Sequence, residues 1–98
     1  MKITFTEETT LTAQDRYHEI WQFLKKHQIA VIEFKKKDGT VRIMEGTFDT
    51  TLMPLRDIET FHQTRTIDYE TFPVWSVKDV AWRSFKTMNV ISIKEKDD

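Results

Sequence analysis

The side chains in this chain that are able to do chemistry are few, and their spacing does not favour catalysis. His18, His27 and His62 lack the His-Glu-x-x-His spacing that puts two imidazoles on one helix face, and there is no cysteine to complete a zinc site. Ser76, Ser84 and Ser92 stand outside any Gly-x-Ser-x-Gly setting, and no glycine-rich phosphate loop is present. Asp57 with Glu59, and Asp68 with Glu70, are i, i+2 carboxylate pairs. On extended strands each pair would share a face and could hold a cation or act as acid and base. In a loop they only solvate it, and the loop is the expectation. With these parts missing, no catalytic residue, cofactor or metal ion is expected.

Binding chemistry is better represented. Between Lys25 and Arg42 six positive charges face two negative ones, a net +4; between Glu45 and Glu70 the balance is −4. A nearly neutral chain is therefore expected to be bipolar. Lys35, Lys36, Lys37 and Arg42, with Arg83 beside Trp75, would form a nucleic-acid surface in which phosphates meet cations and bases stack on rings. The plainer reading is that the lysines blunt a sheet edge and that Trp75 and Trp82 fill a core. Protein binding is the other class. Phe23 lies about 80° off the main apolar stripe of its helix at 100° per residue, with Arg16 and His27 beside it. Phe23, His27, Met44 and the Lys35-Lys36-Lys37 tip are the candidate partner contacts, although Phe23 would equally serve to widen the buried face. A third class is a sensor holding a small ligand between helix and sheet.

The elements that must position these residues follow from periodicity. Ala13, Tyr17, Ile20, Trp21 and Leu24 recur at helical spacing. Thr12 as N-cap, Asp15 in the first turn and Lys25-Lys26-His27 in the last predict a helix over 13–27. Ile3 to Thr6 reads as a short strand. Ile29 to Lys36 and Thr40 to Phe48 are β-rich and flank Asp38-Gly39, a strong hairpin signal. A two-residue turn would pair Phe34 with Ile43 and Glu33 with Met44, leaving Met44 exposed opposite Phe34. A three-residue turn with a bulge would shift that register by one. The segment from Asp49 to Phe72 reads as loop. Strands return at Val74–Val77, Ala81–Lys86 and Val90–Lys94, the first two joined near Lys78-Asp79 and the last two by Thr87-Met88-Asn89.

Ninety-eight residues with 39% hydrophobic and 12% aromatic content make one domain over 1–98 with one core. A net charge of −1 excludes a globally basic nucleic-acid coat and an acidic tail. The lack of cysteine fits a reducing cytoplasm. No 18-residue apolar run and no apolar leader are present, so neither membrane spanning nor export is expected.

The block Pro73-Val74-Trp75-Ser76-Val77-Lys78-Asp79-Val80-Ala81-Trp82-Arg83-Ser84-Phe85-Lys86, with Val90-Ile91-Ser92-Ile93 after it, resembles the small tailed-phage proteins described as WYL-like with an Sm-like SH3 β-barrel fold. The Ala-Trp-Arg-Ser-Phe run is the specific part. The hairpin Ile32-Glu33-Phe34 through Asp38-Gly39-Thr40-Val41-Arg42 is similar to their first strand pair. Ser76 stands where the family carries Asp, and the N-terminal helix lies outside the shared pattern. The resemblance implies a barrel and a phage source and assigns no activity.

The expected fold is therefore α+β: an N-terminal amphipathic helix packed on a five-stranded SH3-like (Sm-like) antiparallel β-barrel. The expected function is that of a non-enzymatic phage accessory protein, cytoplasmic in the host, which binds and modulates a host protein in the manner of host-takeover or anti-defence factors. The alternative is a nucleic-acid-binding module using Lys35, Lys36, Lys37, Arg42, Trp75 and Arg83. A homodimer is compatible with either.

Overall fold

A computed structural model describes residues 2–5, 11–62 and 67–96, with backbone alone for 60–62. The side chains of Phe61 and His62, and the Thr6 end of the first strand, lie outside the described residues. The elements run β1 (Lys2–Thr4), α1 (Ala13–Lys26), β2 (Ala30–Lys35), β3 (Val41–Thr47), α2 (Leu55–His62), β4 (Thr71–Ser76), β5 (Ala81–Lys86) and β6 (Val90–Glu95). Short 3-10 turns occupy Thr50–Leu52 and Thr87–Asn89.

Helix α1 starts where its cap chemistry dictates. The Asp15 N–H donates to the Thr12 hydroxyl at 3.2 Å and the Thr12 N–H donates to the Asp15 carboxylate at 3.3 Å, a reciprocal box that satisfies two otherwise orphaned donors. Arg16, Tyr17, Ile20, Phe23 and Leu24 are buried and span about 120° of the helix surface. Phe23 is thus inside the buried arc, at 3% exposure, and the surface role expected for it does not hold. Arg16 ties the helix down. Its guanidinium donates to the carbonyls of Met88 and Val90 at 3.3 and 3.2 Å and lies 5.0 Å from the Phe5 ring centre.

Six strands, one more than the expected five, form a single antiparallel sheet in the order β1-β6-β2-β3-β4-β5. The additional strand is β1, which adds to β6 through Ile3 opposite Ile93. The sheet curls. β2 and β5 are three places apart in it, yet Phe34 and Phe85 stack at 5.2 Å and Phe85 stacks on Phe72 at 5.5 Å. Those rings join Ile20, Leu24, Ile32, Met44, Val74 and Ile93 in the core. Gly46 lets β3 meet β4 closely, since a Cβ there would come within 2.6 Å of Val74 Cγ2, a contact that the stiff, buried valine cannot easily relieve.

Two further expectations are corrected. The β2–β3 hairpin pairs Phe34 with Arg42 and Glu33 with Ile43, one residue away from the two-residue-turn register. Its loop is Lys37-Asp38-Gly39, and Gly39 takes φ +89°, the left-handed position of a three-residue turn. The shift reverses the two apolar residues of β3. Met44 enters the core at 4% exposure, whereas Ile43 is 64% exposed. Within the 49–72 stretch, α2 replaces the expected loop. Asp57 and Ile58 donate their N–H groups to the Pro54 carbonyl, so the helix begins beside a proline whose fixed φ suits a first turn.

Candidate functional site: a basic concavity

β3 pairs with β4 only at Gly46 and Thr47. From Val41 to Met44 β3 has no ladder partner except β2, and the hairpin faces β5 and the turn that follows it across a hollow. The space beneath is a concavity of about 390 Å³, lined by Lys35, Lys36, Lys37, Arg42, Arg83 and Lys86 above a floor of Phe34, Met44 and Phe85. The floor rings and Met44 are buried, so the lining presents cations and little accessible ring surface. Lys35, Lys36 and Lys37 are exposed and form no ion pair among the described residues. Lys86 donates to the Thr71 hydroxyl at 3.5 Å.

One carboxylate organises the two arginines. Asp79 Oδ2 accepts from the Ser76 hydroxyl at 3.1 Å, from Arg42 at 3.2 Å and from Arg83 Nε at 3.3 Å. The Ser76 hydroxyl, then Arg83 and Arg42, hold the Asp79 carboxyl below the usual carboxylate range. Asp79 sits in the β4–β5 turn, followed by Val80 at φ +51°, a conformation that β-branched residues rarely take. At the hairpin tip Asp38 accepts from the Thr40 hydroxyl and N–H at 2.6 and 3.0 Å. Those bonds, and Lys36 to a smaller degree, lower its pKa as well.

The sequence-predicted residues separate clearly. Lys35, Lys36, Lys37, Arg42 and Arg83 converge on the concavity. Trp75 does not, being 2% exposed on the opposite face of the sheet, beneath α2. Its indole Nε1 donates to the Asp57 carboxylate at 2.9 Å, and the Trp82 Nε1 donates to the Asp57 carbonyl at 3.1 Å. A stacking role for Trp75 is therefore excluded by its burial. Met44 and Phe23 are core residues, at 4% and 3% exposure, and neither offers the exposed contact expected of it. His27 is half-buried, 4.4 Å from the Phe23 ring and 3.1 Å from Glu95, away from the concavity. Asp57 and Glu59 lie on a helix, not a strand, so their i, i+2 spacing puts them on different faces. Asp68 instead accepts from the Glu70 N–H at 3.0 Å in the turn before β4. Among the described residues no group of three or more His, Asp or Glu stands close enough to hold a metal ion.

Sequence reasoning missed Asp79 and Lys86 as site residues, and it paired Asp57 with Glu59 where the structure gives it the two indoles. The first had a signal: Ser76-x-x-Asp79 between two strands is a turn spacing in which hydroxyl and carboxylate meet.

A family model described as "WYL_2, Sm-like SH3 beta-barrel fold" matches residues 18–91. The chain belongs to this family. It is also 35% identical over 66 residues to a protein of Enterobacteria phage T4, described as an "Uncharacterized 11.5 kDa protein in Gp31-cd intergenic region". That match takes in 66% of this chain and 65% of the relative. No solved structure is significantly similar. The matched span covers every strand except β1 and most of β6, and contains all six lining cations. No helix of the described residues is long and apolar enough to cross a membrane.

Proposed function

We propose that this protein is a non-enzymatic phage accessory factor that works by binding, and that its basic concavity takes single-stranded nucleic acid. The convergence of six cations from β2, β3, β5 and their connections on one hollow carries this reading. On it, β2 to β6 form the SH3-like barrel and α1 packs against its core. Four of the six cations are lysines that form no ion pair among the described residues, which is the arrangement that releases counterions when phosphates bind. A hollow of this size lies in the range of single-ligand sites, roughly 300–1,000 Å³. A flexible strand can feed one nucleotide into it, whereas a rigid duplex would touch only the rim. With Trp75 buried and Trp82 half-buried outside the concavity, affinity rests on phosphate contacts, and little sequence preference is expected. Similarity to the phage T4 protein supports the phage setting.

The test is fluorescence anisotropy with labelled single-stranded and duplex 12-mers across a salt series. Single strands should bind more tightly, with a slope of log K against log salt that falls by about 2 when Lys35, Lys36 and Lys37 all become Gln, at roughly 0.7 per lost phosphate contact. Binding that is undetectable or indifferent to salt overturns the reading.

A second reading, modulation of a host protein, is favoured by Val41 and Ile43. They are 52% and 64% exposed and point the same way from β3, opposite Met44, where apolar contact with a partner would bury them. Affinity capture from infected-cell lysate compares the wild type with a Val41→Asp/Ile43→Asp variant. A host protein retained only by the wild type supports the second reading; retention of none opposes it.

A further inference from the structure

Arg42 and Arg83 reach the concavity from different strands, and both are held by one oxygen of Asp79. Two guanidinium groups converging on a single anionic oxygen is also the way proteins grip a phosphate. The carboxylate is not a buried structural ion: its side chain is 29% exposed, and those of Arg42 and Arg83 are 42% and 48% exposed. Exposed pairs of this kind are held together weakly and exchange readily for a better anion. Asp79 also has a partner apart from the arginines, because its N–H donates to the Ser76 hydroxyl and that hydroxyl donates to the same carboxylate oxygen.

We infer that Asp79 is a built-in stand-in for phosphate: in the unliganded protein it occupies the Arg42–Arg83 clamp, and a phosphodiester of the bound strand displaces it. This rests on the nucleic-acid reading of the concavity and adds a residue to it. Asp79 keeps the two arginines aligned in the absence of ligand. It also sets a threshold, since a weak or singly contacting anion gains too little from the lysines to displace it. The lysines attract the strand, and the clamp then selects a group able to engage two guanidinium groups at once.

The test compares two substitutions that each remove one negative charge beside cations that line the concavity, Arg42 and Arg83 for Asp79 and Lys36 for Asp38. Asp79→Asn empties the clamp of its carboxylate; Asp38→Asn removes charge at the hairpin tip, where the acid faces Thr40 and no arginine. Affinity for labelled dT and rU 12-mers is measured for the wild type and both variants at one salt concentration. Displacement predicts that Asp79→Asn tightens binding about tenfold and Asp38→Asn less than about threefold, because only the first relieves a competing charge-assisted pair. DNA and RNA should respond alike, since the clamp reads the phosphate. Equal tightening by the two variants overturns the inference and leaves the nucleic-acid reading standing. Binding by neither the wild type nor either variant defeats both. A poly-glutamate peptide of matched charge that binds Asp79→Asn as tightly as the oligonucleotides overturns the assignment to phosphate. A second readout is independent of affinity: the carbon-13 resonance of the Asp79 carboxyl should move on saturation with dT 12-mer, and a resonance that stays put overturns displacement.

Discussion

Asp57 and Asp79 each draw two side chains together, one beneath α2 and the other against two arginines that line the concavity. Asp57 is buried and takes the indole N–H groups of Trp75 and Trp82 on its carboxylate and its backbone carbonyl. Asp79 is exposed and takes the guanidinium groups of Arg42 and Arg83. The donors decide what each arrangement can do. An indole N–H gives one bond and carries no charge, and once buried it has no other partner to seek. The Asp57 hub therefore fixes α2 to the outer face of β4 and β5. A guanidinium keeps its charge and several further donors after one bond, so the Asp79 hub remains open to competition. The same residue type serves as a rivet in one place and as a releasable counter-ion in the other.

Breaking the buried hub should have the largest effect. Asp57→Ala leaves the Trp75 N–H buried without its acceptor, at a cost of about 2 kcal/mol. In a domain of this size that lowers the melting temperature by roughly 10 °C, readable by calorimetry. Oligonucleotide affinity per folded molecule should be unchanged, because the concavity lies on the other side of the sheet. Next comes the Lys35→Gln/Lys36→Gln/Lys37→Gln variant, which should lose affinity and salt slope while its melting curve overlays the wild type. Val41→Ser/Ile43→Ser should alter oligonucleotide affinity by less than about twofold, since these side chains share no partner with the concavity. Loss of binding in that variant would move the site to the outer face.

The smallest effect concerns acid. Asp79 has a folded pKa below its unfolded value, near 3.9 for a free Asp. Its stabilising contribution is thus complete above about pH 4 and is lost as pH falls through the lower folded value. Asp79→Asn should sit slightly below the wild-type melting temperature at pH 6, and the difference should shrink as pH falls below about 4. A difference that grows towards low pH would reverse the sign and refute the ion-pair geometry.

These contrasts were unevenly legible in the sequence. The cap and period of α1 could be read directly, because Thr12 and the Tyr17–Leu24 spacing act locally. The presence of the β2–β3 hairpin followed from Asp38-Gly39, but its register did not. Ile43 and Met44 are both apolar and adjacent, and the choice between them falls to the left-handed Gly39 and the packing of Met44 against distant strands. Helix α2 was hidden because its buried face carries Asp57 while Leu55 points to solvent, so the apolar pattern misreports which side is inside. The basic residues of the concavity were visible as a charge run. Their meeting with Arg83 and Lys86, 41 or more positions beyond Arg42, depends on sheet curl, which no local pattern encodes. The plainer reading of Trp75 as a core residue holds and its stacking role does not, but the partner that covers it, α2, was not visible in the sequence.

The placement of the tryptophans has a practical result. Trp75 and Trp82 report on the seat of α2, and Trp21 packs 4.9 Å from Phe48; none of the three lines the concavity. Intrinsic emission from this protein should therefore follow unfolding faithfully while staying nearly silent to occupancy. A titration monitored by that signal alone would report a protein that ignores its ligand.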